Sequence, residues 1–503
     1  MFEIAVKRGV VESSFRIAQF VIGFFASGLA IKIIGESTLG TILIYQAEYS
    51  FLAAFFGVAM FNNAIIQFIS ETSKLPDRGL NERIMSSSIT MTFLFSIVFG
   101  GIALVSITPL SLNFHLATFA ENLLLVGSTS LTMFFTSVAG LLSSYVYASG
   151  VFITTSVFDG ITGLIVPIVN ATVLLVTRSW AMYVLSLTIL SLLRASSYFV
   201  LARVKTAYRL RPTIDIAAMR MMPLISRAAY VASLASPLST QADRIVLGTI
   251  SGASALPAYS IAQTVLNGIN SIIYGASSTF VPLLAREAEQ ASSTAARLQH
   301  IQRWFISFFA LFCYSGMILF LPQALSALIG ADFGHRATTS VLFAGFQGLA
   351  MANLVIPILG LTALKQMRKI AGLEWINSVG LFTFGFVLTL VFGAVGMPAS
   401  RIWYFTETAI SAWVYCKVLG VPKSEVVAPI RSSLIFLAAA ALCSATLTII
   451  LPGMSVWMMV TMNGIVFLVV NCGALLWDLN SRGGLEKLLF LKRIFTYLRH
   501  SFI

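Results

Sequence analysis

Charge is scarce in this chain. Only 10% of its 503 residues are Asp, Glu, Lys or Arg, against 58% that are hydrophobic. Cysteine and histidine are scarcer still, with four of each. Cys313, Cys416, Cys443 and Cys472 all lie within apolar blocks, so no disulfide framework is indicated. His115, His300, His335 and His500 are far apart and read as loop or tail residues. There is no CxxC pair, no Gly-Lys-Ser/Thr phosphate loop and no HExxH. Nucleotide hydrolysis by the chain itself is therefore not expected. Gaps between apolar blocks stay below about twenty residues, whereas a soluble domain needs roughly 50–250. A membrane glycosyltransferase, polymerase or ligase, which needs a large polar loop or domain, is disfavoured for the same reason.

What the chain has is apolar blocks of membrane length. A hydrocarbon core of about 30 Å takes roughly twenty apolar residues per helix. The blocks, at a mean hydropathy of +0.90, read as about fourteen spans. The first six are 13–34, 39–62, 85–108, 122–145, 153–176 and 181–201. The next six are 224–250, 255–284, 304–322, 339–364, 372–395 and 402–419, and the last two are 432–451 and 456–477. Residues 1–12 carry two basic residues, but the block that follows is full length and lacks a small-residue cleavage site. It reads as a first span and not as a cleaved signal. The fold class is thus an all-α polytopic membrane protein.

Orientation follows from the basic residues. Of the Lys and Arg residues outside the spans or, for Lys417, at a span end, 24 fall on one side of this topology and 3, Arg178, Arg336 and Arg401, on the other. The basic side includes Lys7 and Arg8, the loop with Arg203, Lys205, Arg209, Arg211 and Arg220, and the tail. Cytoplasmic loops carry such an excess, so both termini are expected in the cytoplasm. The net charge of +13 is accounted for by orientation, and no nucleic-acid partner is implied. In the tail, Leu488, Leu491, Phe495, Leu498 and Phe502 recur at helical spacing between Lys492, Arg493 and Arg499. That pattern predicts an interfacial helix held by anionic lipids.

A weak internal repeat organises the spans. Arg16 and Lys32 are 16 residues apart in the first span, and Arg227 and Arg244 are 17 apart in the seventh. The phase predicts a six-span lobe over 1–220 and a second over 221–421. The remainder, 422–503, holds two further spans and the basic tail. An even number of spans per half makes the lobes parallel, related by an axis along the membrane normal.

Besides Lys417 at the end of the twelfth span, ten charges fall inside the spans: Arg16, Lys32, Glu48, Asp159, Arg194, Arg227, Asp243, Arg244, Glu374 and Glu407. Each costs about 2.5–3.5 kcal/mol at mid-membrane even on the mildest scale, so they must line a polar interior or sit near an interface. Glu48, Asp159 and Arg194 are deepest and are expected to face a cavity. Arg16 and Arg227 lie one turn in, where snorkelling to headgroups is the alternative. Lys32, Asp243, Arg244, Glu374 and Glu407 read as boundary residues or local pairs. Of these, Lys32 and Arg244 remain candidate substrate-binding cations, and Asp243 and Glu407 candidate cavity carboxylates. A cation-lined interior implies an anionic substrate, because the guanidinium fork suits phosphate oxygens.

Three stretches carry a resemblance. They are IIGESTLG over 33–40, QADRIVLGTISGASALPAYSIAQ over 241–263 and VPLLAREAE over 281–289; LIGADF over 328–333 is a fainter fourth. With the span layout they resemble the polysaccharide flippases of the multidrug/oligosaccharidyl-lipid/polysaccharide exporter superfamily. The resemblance implies two six-helix lobes around a cavity open to each leaflet in turn, with no cofactor and no enzymatic reaction. It implies a polyprenyl-diphosphate-linked oligosaccharide as substrate, held at its diphosphate by cavity cations. Arg16 is the position carried over. It further implies H+ or Na+ as a coupling ion, residence in a bacterial inner membrane, and a polysaccharide polymerase and chain-length regulator as partners. Many such flippases have twelve spans. The count of fourteen is shared by the peptidoglycan-precursor branch, so that substrate stays open, as does a drug or metabolite cation antiporter of the same superfamily.

The charge asymmetry has a direct test. A single cysteine at Thr206 or Ser501 should resist a membrane-impermeant thiol reagent in intact cells, and one at Ser111 or His335 should react. Labelling of the Thr206 variant from outside would overturn the topology.

Overall fold

Hydrocarbon offers a backbone no hydrogen-bond partner, so each apolar block must satisfy its own N–H and C=O groups, and helices do this. A computed structural model of the chain describes residues 2–55, 78–110, 119–149, 151–206, 214–215, 235, 238–278, 293–363, 366–419, 423–450 and 456–479. Its helices are α1 (Phe2–Ile34), α2 (Glu36–Phe55), α3 (Arg78–Leu110), α4 (Phe119–Ala148), α5 (Phe152–Thr177), α6 (Trp180–Thr206), α7 (Ala242–Ser251) and α8 (Leu256–Ser278). They continue with α9 (Ser293–Leu328), α10 (Ala331–Ala363), α11 (Met367–Phe392), α12 (Gly396–Ser400), α13 (Trp403–Leu419), α14 (Lys423–Ile450) and α15 (Val456–Leu479). Among the described residues there is no strand, and nine helices are long and apolar enough to cross a membrane. The chain is an all-α polytopic membrane protein. Large apolar side chains such as Val176, Val204, Leu442 and Trp477 stand exposed on these helices, as a lipid-facing surface requires.

Several helices run past the expected spans. The sequence reading leaves 323–338 as a gap, yet α9 continues through Pro322 to Leu328 and α10 begins at Ala331. His335 and His300 accordingly lie on helices and not in loops. Proline inside a membrane helix is tolerated where neighbouring groups take up the freed backbone; here Ser326 donates to the Pro322 carbonyl at 2.9 Å. The interfacial tail helix, the seventh span before residue 235 and the 281–289 motif lie outside the described residues.

The turns share one device. Gly35, Gly252, Gly330 and Gly393 all have positive φ, and Arg178 is the sole described non-glycine residue that does. Each sits where an odd-numbered span passes to the next even one, on the side that the Lys/Arg asymmetry assigns to the exterior. A left-handed residue ends a helix and reverses the chain within one or two positions. At Arg178 the backbone N–H closes α5 by bonding to the Leu174 carbonyl.

Packing groups the chain into two compact units, residues 1–261 with 367–400, and residues 262–366 with 401–503. In the first unit Ile84, Leu142, Tyr145 and Tyr198 join α3, α4 and α6. A second cluster, with Ile44, Leu247, Leu256, Tyr259 and Met397, packs α2 against the 241–263 stretch. A Cβ on Gly40 would lie 1.8 Å from the Ala253 carbonyl oxygen, and one on Gly248 would lie 2.6 Å from Ile44 Cδ1. Those glycines therefore let α2 touch the turn that follows α7.

In the second unit α14 and α15 pack on α9 around Leu319, Ala440 and Val470. Buried amides add polar clips: Asn463 Nδ2 donates to the Leu319 carbonyl at 2.6 Å, and Asn471 Nδ2 to Ser315 Oγ at 3.0 Å. Such bonds between membrane helices are worth about 0.6–2 kcal/mol each.

The Gly40 contact meets backbone, which cannot swing aside. Gly40→Ala should destabilise the protein by about 1–3 kcal/mol, read as a lower thermal midpoint of the detergent-purified protein. Gly23→Ala, at a site with nothing within 4 Å, should leave it unchanged. Equal midpoints for the two variants would refute this account of the motif.

Candidate functional site

Four helices of the first unit supply one polar hollow. From α1 come Phe15, Arg16 and Gln19; from α4, Gly140, Ser143, Ser144 and Tyr147; from α5, Thr155, Ser156, Asp159, Gly160 and Gly163; from α6, Arg194. The positions on α4 and α5 repeat at three and four residues, which puts each set on one helix face. The cavity holds about 540 Å³, within the range of small-molecule sites. All four segments lie toward the same end of the bundle, the start of α1 and α5 within their membrane spans and the end of α4. The Lys/Arg asymmetry assigns that end to the cytoplasm.

Glycine sets the spacing of α1 and α5. A Cβ on Gly160 would lie 2.5 Å from the Phe15 ring, and one on Gly163 would lie 2.2 Å from Gln19 Nε2. Small residues permit such approach between membrane helices. Gln19 uses it, donating from Nε2 to the carbonyls of Asp159 at 3.2 Å and Gly160 at 3.0 Å. The α4–α6 seam is held by hydroxyls: Thr132 and Thr188 meet at 2.9 Å, and Thr188 also donates to the Ser128 carbonyl at 3.1 Å.

The charges meet on this frame. Arg194 Nη2 donates to Asp159 Oδ1 at 2.8 Å, and Ser143 Oγ donates to Asp159 Oδ2 at 3.3 Å. Arg194 lies about 21 Å along α6 from Trp180 at 1.5 Å per residue. Phe158 and the fully buried Tyr198 pack edge to face beside the pair, with ring centroids 4.8 Å apart. Two guanidiniums, Arg16 and Arg194, thus share the lining with one carboxylate, so its formal charge is positive.

The other candidates lie elsewhere. Lys32 is exposed in the last turn of α1, about 24 Å from Arg16 along the helix; there it complements the helix dipole. Glu48 is half-buried on α2, off the cavity lining. Asp243 is buried in the first turn of α7, where it accepts the Arg244 backbone N–H at 2.7 Å and the Tyr259 hydroxyl. Its carboxylate takes up one backbone N–H of the first turn of α7 and ties α7 to α8. Arg244 is half-buried beside it, and Glu374 is half-buried on α11. Glu407 is buried in the second unit. Arg227 lies outside the described residues. The neutral part of the site, Gln19 with the hydroxyls of α4 and α5, escaped the sequence reading. The serines at 143 and 144, in helical register with Gly140 and Tyr147, were the available signal.

No protein-family model matches the chain, and no curated protein matches it in sequence. Solved structures do match. The lipid II flippase MurJ, in an inward closed conformation, aligns with a TM-score of 0.66 at 14% identity over 92% of this chain and 98% of its own. A multidrug resistance MATE family transporter of the MOP superfamily, facing inward, aligns at 0.59 and 13% identity over 82% and 98%. The eukaryotic MATE transporter AtDTX14 aligns at 0.57 and 13% over 86% and 99%. The chain shares its fold with MurJ and the MATE transporters. At this identity the likeness speaks for architecture alone.

The Asp159–Arg194 pair can be measured by itself. A double-mutant cycle on Asp159→Asn and Arg194→Gln should show non-additive losses of stability, with a coupling of about 0.2–1 kcal/mol for a pair that is partly exposed. Strictly additive losses would mean that the two side chains do not meet.

Proposed function

We propose that this protein is a flippase that moves polyprenyl-diphosphate-linked oligosaccharide units from the cytoplasmic to the outer leaflet of a bacterial inner membrane by alternating access. The observation that carries the reading is the convergence of Arg16, Arg194 and Asp159, from three separate helices, on one hydroxyl-lined cavity. A diphosphate that enters a membrane must exchange its hydration shell for fixed donors, and guanidiniums with serine and threonine hydroxyls supply them. The sugars occupy the hydrated hollow while the polyprenyl tail remains in lipid. The shared fold with MurJ and the MATE transporters supports a transport role. An ion gradient or the membrane potential drives the cycle, with H+ or Na+ as the coupling ion. Two six-helix lobes, 1–220 and 221–421, with two additional helices and both termini cytoplasmic, form the transport unit. A polymerase and a chain-length regulator act downstream.

Two other readings draw on specific observations. The likeness to MurJ spans 92% of this chain, which favours a peptidoglycan-precursor lipid; its carrier diphosphate would use the same arginines. The likeness to MATE transporters, with Asp159 in the cavity wall, favours a cation antiporter, but the excess of guanidinium over carboxylate opposes a cationic substrate.

Arg16→Ala should abolish export in a flippase-deficient strain while the protein remains at normal level in the membrane. Arg16→Lys should restore it only in part, because an ammonium lacks the bidentate fork. The lipid-linked unit that accumulates inside the cell distinguishes the two lipid substrates. Full export by Arg16→Ala/Arg194→Ala at normal protein level would exclude the cationic-cavity mechanism.

A further inference from the structure

Arg194 is held by a carboxylate of its own protein. The contact is single, Nη2 to Asp159 Oδ1 at 2.8 Å, with Ser143 steadying the other carboxylate oxygen at 3.3 Å. The two charged side chains are 35% and 38% exposed, so the pair is set in the cavity wall and not sealed beneath it. The guanidinium is also incompletely used. Its Nε is enclosed and has no hydrogen-bond acceptor among the described residues. A guanidinium engaged at one nitrogen, with Nε idle, keeps donors that a bidentate partner could use once the side chain turns, and such a pairing is stronger than a single charge-assisted bond.

We infer that Asp159 is a built-in competitor for Arg194, holding the guanidinium while the cavity is empty and yielding it to the diphosphate oxygens when substrate enters. This rests on the reading of the cavity as a diphosphate site. With the cavity empty, Asp159 spares the membrane interior an uncompensated cation, whose burial is costly. With substrate bound, the released guanidinium turns Nε–H and Nη–H together toward two phosphate oxygens. The returning carboxylate then helps expel the diphosphate. Turnover gains from this, because binding that is uniformly tight through the cycle does not speed it. Gln19 keeps its place throughout, since it binds the Asp159 and Gly160 carbonyls and not the carboxylate. The exchange therefore needs only side-chain rotation on an unmoved α1–α5 frame.

The test is direct binding of farnesyl diphosphate, a short prenyl diphosphate, to the full chain in lipid nanodiscs by calorimetry. Asp159→Asn should tighten binding roughly two- to fivefold, the range for a partly exposed ion pair removed from competition. Ser143→Ala, which loosens the hold on Asp159, should tighten it in the same direction by a smaller factor. Arg194→Gln should weaken binding, and Asp159→Asn/Arg194→Gln should match Arg194→Gln, because the guanidinium that Asp159 holds is then gone. Tightening that persists in the double variant would overturn the inference, as it would then reflect net charge alone. So would unchanged or weaker binding by Asp159→Asn while Arg16→Gln binds less well, an outcome that leaves the diphosphate reading intact. Wild-type binding by both Arg16→Gln and Arg194→Gln, or no binding by the wild type, would instead remove the diphosphate reading and this inference with it. Should Asp159→Asn fail to accumulate, Ser143→Ala decides, and no tightening there overturns the inference.

Discussion

A polar group in hydrocarbon must find its partner within the protein, and the first unit is organised by that demand. The Asp159–Arg194 pair is its sharpest expression. Either charge alone, facing lipid, would cost several kcal/mol. Joined across α5 and α6, and hydrogen-bonded to Ser143 on α4, they make three helices converge on a common polar wall. Gln19 extends the wall to α1 by binding two carbonyls of α5. The cavity exists because these polar groups need one another and apolar side chains cannot fill the space between them.

Glycine does complementary work. Gly160 and Gly163 bring α1 against α5, Gly40 brings α2 against the turn after α7, and positive-φ glycines let the chain reverse within a residue or two. At the described turns closed by Gly35, Arg178 and Gly330, one or two residues separate the helices, on the side that the Lys/Arg asymmetry assigns to the exterior.

The functional reading joins these features. A hollow lined by Arg16 and Arg194 at one end of its helices suits the proposed transporter, which would accept a charged headgroup from one side. Arg16 enters it from α1, a helix that the Gly160 and Gly163 contacts place at its depth. Asp159 moderates the field that the arginines would otherwise produce in a low-dielectric setting. On the proposed reading the same chemistry would serve any diphosphate-linked lipid, so that reading extends to a substrate class and not to a sugar.

The membrane class and the all-helical architecture were legible in the amino-acid order, because hydropathy is a property of single segments that a bilayer reads one at a time. That Asp159 and Arg194 fall within helices of membrane-spanning length and composition was legible for the same reason. The fold decided which charges meet. Lys32 and Arg16 share a helix yet lie about 24 Å apart along it, whereas Asp159 and Arg194, on different helices, touch. Asp243 carries the same charge as Asp159 but serves a local contact, since its position in the first turn of α7 gives it backbone N–H and tyrosine partners. Helix ends also depended on packing. The gap expected at 323–338 closed to a two-residue turn, because Gly330 can take a left-handed φ and neighbouring helices cover the extra turns. Gln19, Ser143 and Ser144 gave no charge signal. A neutral residue becomes part of a site through its neighbours, and only the tertiary structure supplies those.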